Sequence, residues 1–189
     1  MTAIIDRLRE EHRNIEKVLL VLEQELDVFD RSEPPDYEVL QAVIRYFQDY
    51  PDRCHHPKED MVFEALKARD PAVAETIGDL EAEHQEETKR LQRLAQALEN
   101  ILTGGELLRQ NFDAIVRNFV AHERDHIEKE ERALFPAAIK ALQPDDWRRI
   151  EARLNDRQDP LANEVIEEKF RFLHQRILQW EAEAERERA

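Results

Sequence analysis

Residues 55–60 read His55-His56-Pro57-Lys58-Glu59-Asp60, and residues 126–131 read His126-Ile127-Glu128-Lys129-Glu130-Glu131. Each run is a histidine, two variable residues, a lysine, a glutamate and a second acid. Residues i and i+4 of a helix share a face, with Cβ atoms about 5–6 Å apart. His55 with Glu59, and His126 with Glu130, therefore each offer an imidazole and a carboxylate at one depth. A further histidine stands upstream of each run, in Glu11-His12-Arg13-Asn14-Ile15-Glu16 and in Glu83-His84-Gln85-Glu86-Glu87. His12 precedes His55 by 43 positions and His84 precedes His126 by 42. The chain thus reads as two helical hairpins, each delivering one histidine from its first helix and His-x-x-x-Glu from its second. That is a repeat of chemistry-bearing residues, not of hydrophobicity alone.

The apolar pattern around these residues is helical throughout. Ile5, Leu8, Ile15, Leu19, Leu22, Leu26 and Phe29 step by three and four, predicting a first helix from Thr2 to about Asp30. His12 fills the one seam position between Leu8 and Ile15. Ser32-Glu33-Pro34-Pro35 breaks the chain, and a second helix from Asp36 to Arg69 turns Leu40, Ile44 and Phe47 inward. Pro51 and Pro57 predict a kink or a brief restart near Asp52. Asp70-Pro71 is a helix start, leading into a third seam of Val73, Ile77, Leu80, Leu91, Leu94, Leu98 and Ile101. His84 and Glu87 sit between Leu80 and Leu91 in it. Gly104-Gly105 closes that helix, and a fourth runs from about Glu106 to Leu142.

Four long helices with short connections predict an all-α, up-down-up-down four-helix bundle over residues 1–142. A C-terminal helical extension fills 143–189. It opens at Pro144-Asp145-Asp146-Trp147, breaks at Asp159-Pro160 and ends in a stripe of Ile166, Phe170, Leu173, Ile177 and Trp180. That stripe is too apolar to stay exposed, so it packs on the bundle or forms a homodimer contact.

Composition narrows the partners. The 189 residues carry 43 acidic and 28 basic side chains, a formal charge of -15. Nucleic acid demands a basic face, and an anionic membrane repels such a chain. The N-terminus turns charged after five residues, and no apolar run approaches the roughly 20 residues of a bilayer span. With Cys54 as the one cysteine, a reducing, cytoplasmic setting is expected.

Two carboxylates pointed into a core require positive charge beside them. Four neutral imidazoles and two potentially bridging carboxylates make a nitrogen-rich set, which suits a pair of iron ions better than magnesium or calcium. With these motifs the chain resembles the hemerythrin-like family of HHE cation-binding bundles, over roughly residues 4–142. The run from His126 to Leu134-Phe135-Pro136 is the most specific part of the likeness. The resemblance implies that His12 and His55 hold one iron and His84 and His126 the other. Glu59 and Glu130 would bridge the two irons, beside an oxo or hydroxo ligand.

The chain departs from the family's oxygen carriers in three places. Their second third-helix histidine falls at Thr88. Their fourth-helix acid follows its histidine by five residues, where Glu130 follows His126 by four. Phe63 comes one residue early after the second-helix motif, and Glu64 stands where a proline is usual. His122, one turn before His126, is a candidate fifth nitrogen ligand or a residue that orients one. Glu87 is a further candidate ligand, or else a partly solvated residue paired with Lys89 or Arg90. His56 with Asp60 forms a frame shifted by one, which the Lys-Glu match disfavours. Cys54 reads as a small buried residue, with a redox thiol as the alternative.

The resemblance implies a module that binds or senses a small diatomic or oxidant ligand, dioxygen or nitric oxide, in iron handling or stress response. A second reading is a di-iron redox enzyme acting on oxygen, peroxide or nitric oxide, helped by the open position at Thr88. A third is a structural metal, zinc among the choices, that staples the bundle.

Overall fold

A computed structural model describes residues 3–104, 109–154, 161 and 170–188, and every regular element among them is helical. Helix α1 (Ala3–Asp30) buries the seam read from the sequence, including Ile5, Leu8, Ile15, Leu19, Leu22 and Leu26. Asp36 caps α2 (Tyr37–Asp49) by accepting from the N–H groups of Glu38 and Val39.

Between α2 and α3 (His56–Arg69) lies a π-helical turn, Pro51–His55, in which the His56 N–H reaches back five residues to the Pro51 carbonyl. The restart predicted near Asp52 takes this form. Pro57 brings no N–H for the Arg53 carbonyl, so the regular ladder cannot continue there. A second π turn, Glu130–Leu134, joins α6 (Arg109–Lys129) to α7 (Phe135–Ala141). The Phe135 N–H bonds to the Glu130 carbonyl just ahead of Pro136, for the same reason. Widened turns of this kind recur at functional sites, because the inserted residue re-aims the side chains around it. One ends on His55 and the other begins on Glu130.

The third predicted helix is divided. Asp70 does cap α4 (Pro71–Ile77), but Gly78 adopts φ 94° and Asp79 caps a new helix, α5 (Leu80–Leu102). A left-handed φ ends a right-handed helix, and glycine alone takes it without cost. The predicted fourth-helix start near Glu106 lies outside the described residues, as do the Asp159-Pro160 break and Ile166. The short helix α8 (Pro144–Glu151) follows as expected, and the Arg69 guanidinium holds its Asp146 against α3 at 2.7 Å.

Helices α1, α2, α5 and α6 pack α1 on α2, α2 on α5, α5 on α6 and α6 on α1, while α3 packs on α5 and α7. Helix α9 (Arg171–Arg188) lies on α1 and α2 with Leu173 and Ile177 buried. Phe170, just before it, is fully buried and meets the Tyr46 ring edge-on at 6.2 Å. Phe170→Ala should therefore cost about 3 kcal/mol of stability through the cavity it leaves. Denaturant unfolding of the purified variant measures that loss.

The apolar core is in two pieces. One contains Ile15, Leu19, Cys54, Leu91 and Val120, and the other contains Leu8, Val62, Leu80 and Leu134. Each long path through the molecule crosses from one piece to the other, and at each crossing its buried residues are histidine and glutamate, with Lys58 beside them in α3. A polar layer thus divides the hydrophobic interior. No helix among the described residues is long and apolar enough to cross a membrane.

Candidate metal centre

The layer is built from two overlapping groups. His12, His55 and Glu59 bring ligand atoms within 4.8 Å of one another, and so do Glu59, His84, His126 and Glu130. Glu59 belongs to both. Its Oε1 stands 3.0 Å from His12 Nε2 and 3.2 Å from His55 Nε2, and its Oε2 lies 3.8 Å from His84 Nε2. Glu130 sits opposite, with Oε2 3.4 Å from His12 Nε2 and Oε1 3.2 Å from His126 Nε2. The helical spacing does what the sequence implied: the i,i+4 distance is 3.2 Å in both His-x-x-x-Glu pairs.

His84 Nε2 and His126 Nε2 converge to 3.0 Å. Two nitrogens about 2.1 Å from a single ion stand that far apart when they meet it at a right angle. Glu59 and Glu130 are both fully buried, and Glu59 Oε2 and both Glu130 oxygens complete no hydrogen bond. Buried, unsatisfied carboxylate oxygens between convergent imidazoles are the signature of a cation position.

Each ring is held from behind. The Nδ1 atoms of His12, His55, His84 and His126 face Glu131 at 3.0 Å, Glu11 at 2.8 Å, Asp60 at 3.0 Å and Glu83 at 3.2 Å. Such outer carboxylates fix ring orientation and tautomer, leaving Nε2 as the donor. They also explain the rest of the repeat. The acid before each hairpin's first histidine, Glu11 or Glu83, holds the second histidine of its own hairpin. The acid after each bridging-type glutamate, Asp60 or Glu131, crosses to the first histidine of the other hairpin. The repeated lysines, Lys58 and Lys129, bind Glu11 and Glu83 in turn. The repeated Lys and second acid were visible in the sequence as a match; their task was not.

Around His55 the network is closed. Glu11 accepts from the Tyr50 hydroxyl at 2.7 Å and from Lys58 Nζ at 2.6 Å, and both Glu11 and Lys58 are buried. Burial opposes the charge of Glu11, but His55 and Lys58 outweigh it and hold the carboxyl at about 2. Glu11→Ala would strand the Lys58 ammonium. We expect a loss of about 3 kcal/mol in stability and about 10-fold or more in metal affinity. Unfolding of the metal-free variant and a competitive chelator titration measure the two separately.

Phe135, fully buried, stacks on the His12 ring at 5.4 Å with the planes 11° apart, which gives the Leu134-Phe135-Pro136 run a direct part in positioning a candidate ligand. The family profile described as the hemerythrin HHE cation-binding domain matches residues 3–138. The chain belongs to the hemerythrin family. No match to a curated protein or to a solved structure reaches significance. As in its family, cation binding is the chemistry for which this hemerythrin-type layer is built.

The other candidates separate. His122 joins neither group: it is half-buried on α6, its Nε2 without a hydrogen-bond partner. Thr88 turns its hydroxyl to the His84 carbonyl at 3.1 Å and so spends it on its own helix. Cys54 is buried in the larger apolar piece. His56 points away from the Glu59 frame, stacking on His84 at 4.3 Å and facing Glu87 at 3.3 Å. Glu87 is not the partly solvated residue that its charged neighbours suggested; it is 2 % exposed, and neither carboxylate oxygen completes a hydrogen bond.

Proposed function

We propose that residues 1–142 form an up-down-up-down four-helix bundle holding a non-haem di-iron pair, with 143–189 as a helical extension. His12 and His55 would hold one ion, His84 and His126 the other, and Glu59 and Glu130 would bridge them. The observation that carries the reading is the placement of Glu59 and Glu130, buried and with Glu59 Oε2 and both Glu130 oxygens unsatisfied, among the four imidazoles. When bound, an iron pair supplies reversible binding of a small diatomic or oxidant such as dioxygen or nitric oxide. The chain's own residues orient the donors, through the four outer carboxylates, and exclude water, through the apolar pieces on either side. Sensing or binding of such a ligand, in iron handling or stress response within the cytoplasm, is the function this favours.

One observation favours a di-iron redox enzyme as the second reading. Thr88 contributes no donor and His122 is not gathered into the groups, so the His84–His126 ion has fewer protein nitrogens than an oxygen carrier provides. Anaerobic iron loading followed by oxygen discriminates. Near-ultraviolet charge-transfer bands that reverse on deoxygenation support binding or sensing. Bands accompanied by catalytic consumption of peroxide support the enzyme. A colourless protein that retains only zinc rejects both and leaves a structural staple. The outer face of α9 exposes Phe172 and Leu178, and a homodimer through that face is the assembly we expect from sedimentation.

A further inference from the structure

The internal two-fold match between the hairpins fails at two positions that face each other. His56 follows His55, and its counterpart after His126 is Ile127. Glu87 follows His84 by three, and its counterpart after His12 is Ile15. In the first-named half a histidine faces a glutamate at 3.3 Å across helices α3 and α5. In the other half both positions are isoleucines packed in the larger apolar piece. A slot that one half fills with hydrocarbon is filled in the other with a nitrogen donor and a carboxylate.

That carboxylate is unsatisfied. Glu87 is 2 % exposed with both oxygens lacking a hydrogen bond, and His126 Nδ1 stands 3.3 Å from Oε1. A second buried carboxylate, Glu123, lies on helix α6, which packs on α5. His56, His84 and Glu87 bring ligand atoms within 4.8 Å of one another, but His84 already directs Nε2 to the inner layer and Nδ1 to Asp60. The donors left are His56 Nε2 and the Glu87 oxygens. A buried carboxylate whose oxygens complete no hydrogen bond is costly without a cation beside it.

We propose that His56 and Glu87, with Glu123 beside them, form a third divalent-cation site next to the inner pair. One imidazole and one or two carboxylates suit a borderline ion such as manganese(II), iron(II) or zinc(II) rather than calcium. The site is one-sided: it adjoins the His84–His126 half, while the His12–His55 half has isoleucine in the matching place. It therefore makes the two inner positions unequal, and puts an extra positive charge beside one of them.

The proposal rests on the inner pair being metal-binding, and the test keeps the two apart. Chain loaded anaerobically with iron(II) and desalted is dialysed against manganese(II), and both metals are counted by elemental analysis. The expected result is one manganese per chain beyond the iron. Glu87→Gln should abolish it and His56→Gln should weaken it by about 10-fold or more, with iron content unchanged. No manganese uptake by the iron-loaded chain overturns the third site, as does equal uptake by Glu87→Gln. Loss of iron from Glu87→Gln also overturns it, by assigning Glu87 to the inner pair. A chain that retains no iron counts against the inner pair instead. The outer site then stands if the metal-free chain takes up one manganese that His126→Ala keeps and Glu87→Gln loses, and falls if it does not.

Discussion

Glu59→Ala is expected to empty both halves of the centre, whereas His12→Ala should empty chiefly one. Glu59 is the one residue common to the two groups, with Oε1 toward His12 and His55 and Oε2 toward His84. In the proposed centre, removing it would take a donor from each ion and half of the negative charge between them. Like-charged cations held close together depend on such bridging anions, so neither ion should stay when one bridge is gone. Glu130 alone cannot replace it, because its oxygens lie toward His12 and His126 from the opposite side. Elemental analysis after anaerobic loading should find well under one iron per chain in Glu59→Ala and about one in His12→Ala. Two retained irons in Glu59→Ala would remove the bridging assignment.

The second large effect is a reversal in pH dependence on removing the metal. Burial opposes charge on His84 and His126, yet Asp60 and Glu130 push His84 up to about 10 and Glu130 and Glu83 push His126 up to about 12. Burial likewise opposes charge on His12 and His55, and the surrounding glutamates raise both. In the metal-free protein these rings hold protons more tightly than a free imidazole. One proton at most lies between the facing Nε2 atoms of His84 and His126 at 3.0 Å. Those protons supply part of the positive charge that the buried carboxylates need. A raised histidine contributes stability that is fully present below its unfolded value of 6.5. That contribution is lost as pH rises through the folded value. The metal-free protein should therefore lose stability steadily from about pH 6.5 upward, the His84 share being gone by about pH 10.

Metal binding has the opposite sign, because each ion must displace protons from its histidines. Each ion displaces at least one proton, so affinity should rise by about 10-fold or more per pH unit while the rings of the free protein remain protonated. Thermal unfolding of chelated and iron-loaded protein at matched pH tests the pair of slopes. Parallel slopes would show that the rings are neutral without metal.

The approach of His55 to Glu59 and of His126 to Glu130 was legible because helical spacing alone brings i and i+4 together, and both pairs close to 3.2 Å. Helices were legible for the same local reason, and the turn-forming prolines were flagged though their form was not. Pro51 and Pro57 signalled an interruption, but a π turn arises only when a missing N–H is answered five residues back. The break at Gly78 was hidden because Val73, Ile77 and Leu80 keep a helical rhythm straight across it. A positive φ leaves no mark on hydrophobic periodicity.

The roles of Glu11, Asp60, Glu83 and Glu131 were illegible for a different reason. A charged residue next to a seam position usually faces solvent, and only the crossing of two helices decides which ring it meets. His122 and Glu87 show the converse. Their sequence spacing placed both near the ligands, but α6 carries His122 outside the groups while α3 and α5 enclose Glu87 with His56.

The sequence by itself determined the helical class, the family, and the i,i+4 pairing of His55 with Glu59 and of His126 with Glu130. Those are properties of local geometry, and they repeat along the chain. The tertiary structure alone decided that the polar layer divides the core in two and that each imidazole is backed by a carboxylate from another helix. It also decided that one half keeps a buried His56–Glu87 pair where the other keeps isoleucine. Contacts between helices depend on how their faces meet, and that meeting is set by packing across the whole molecule rather than by any one stretch of chain.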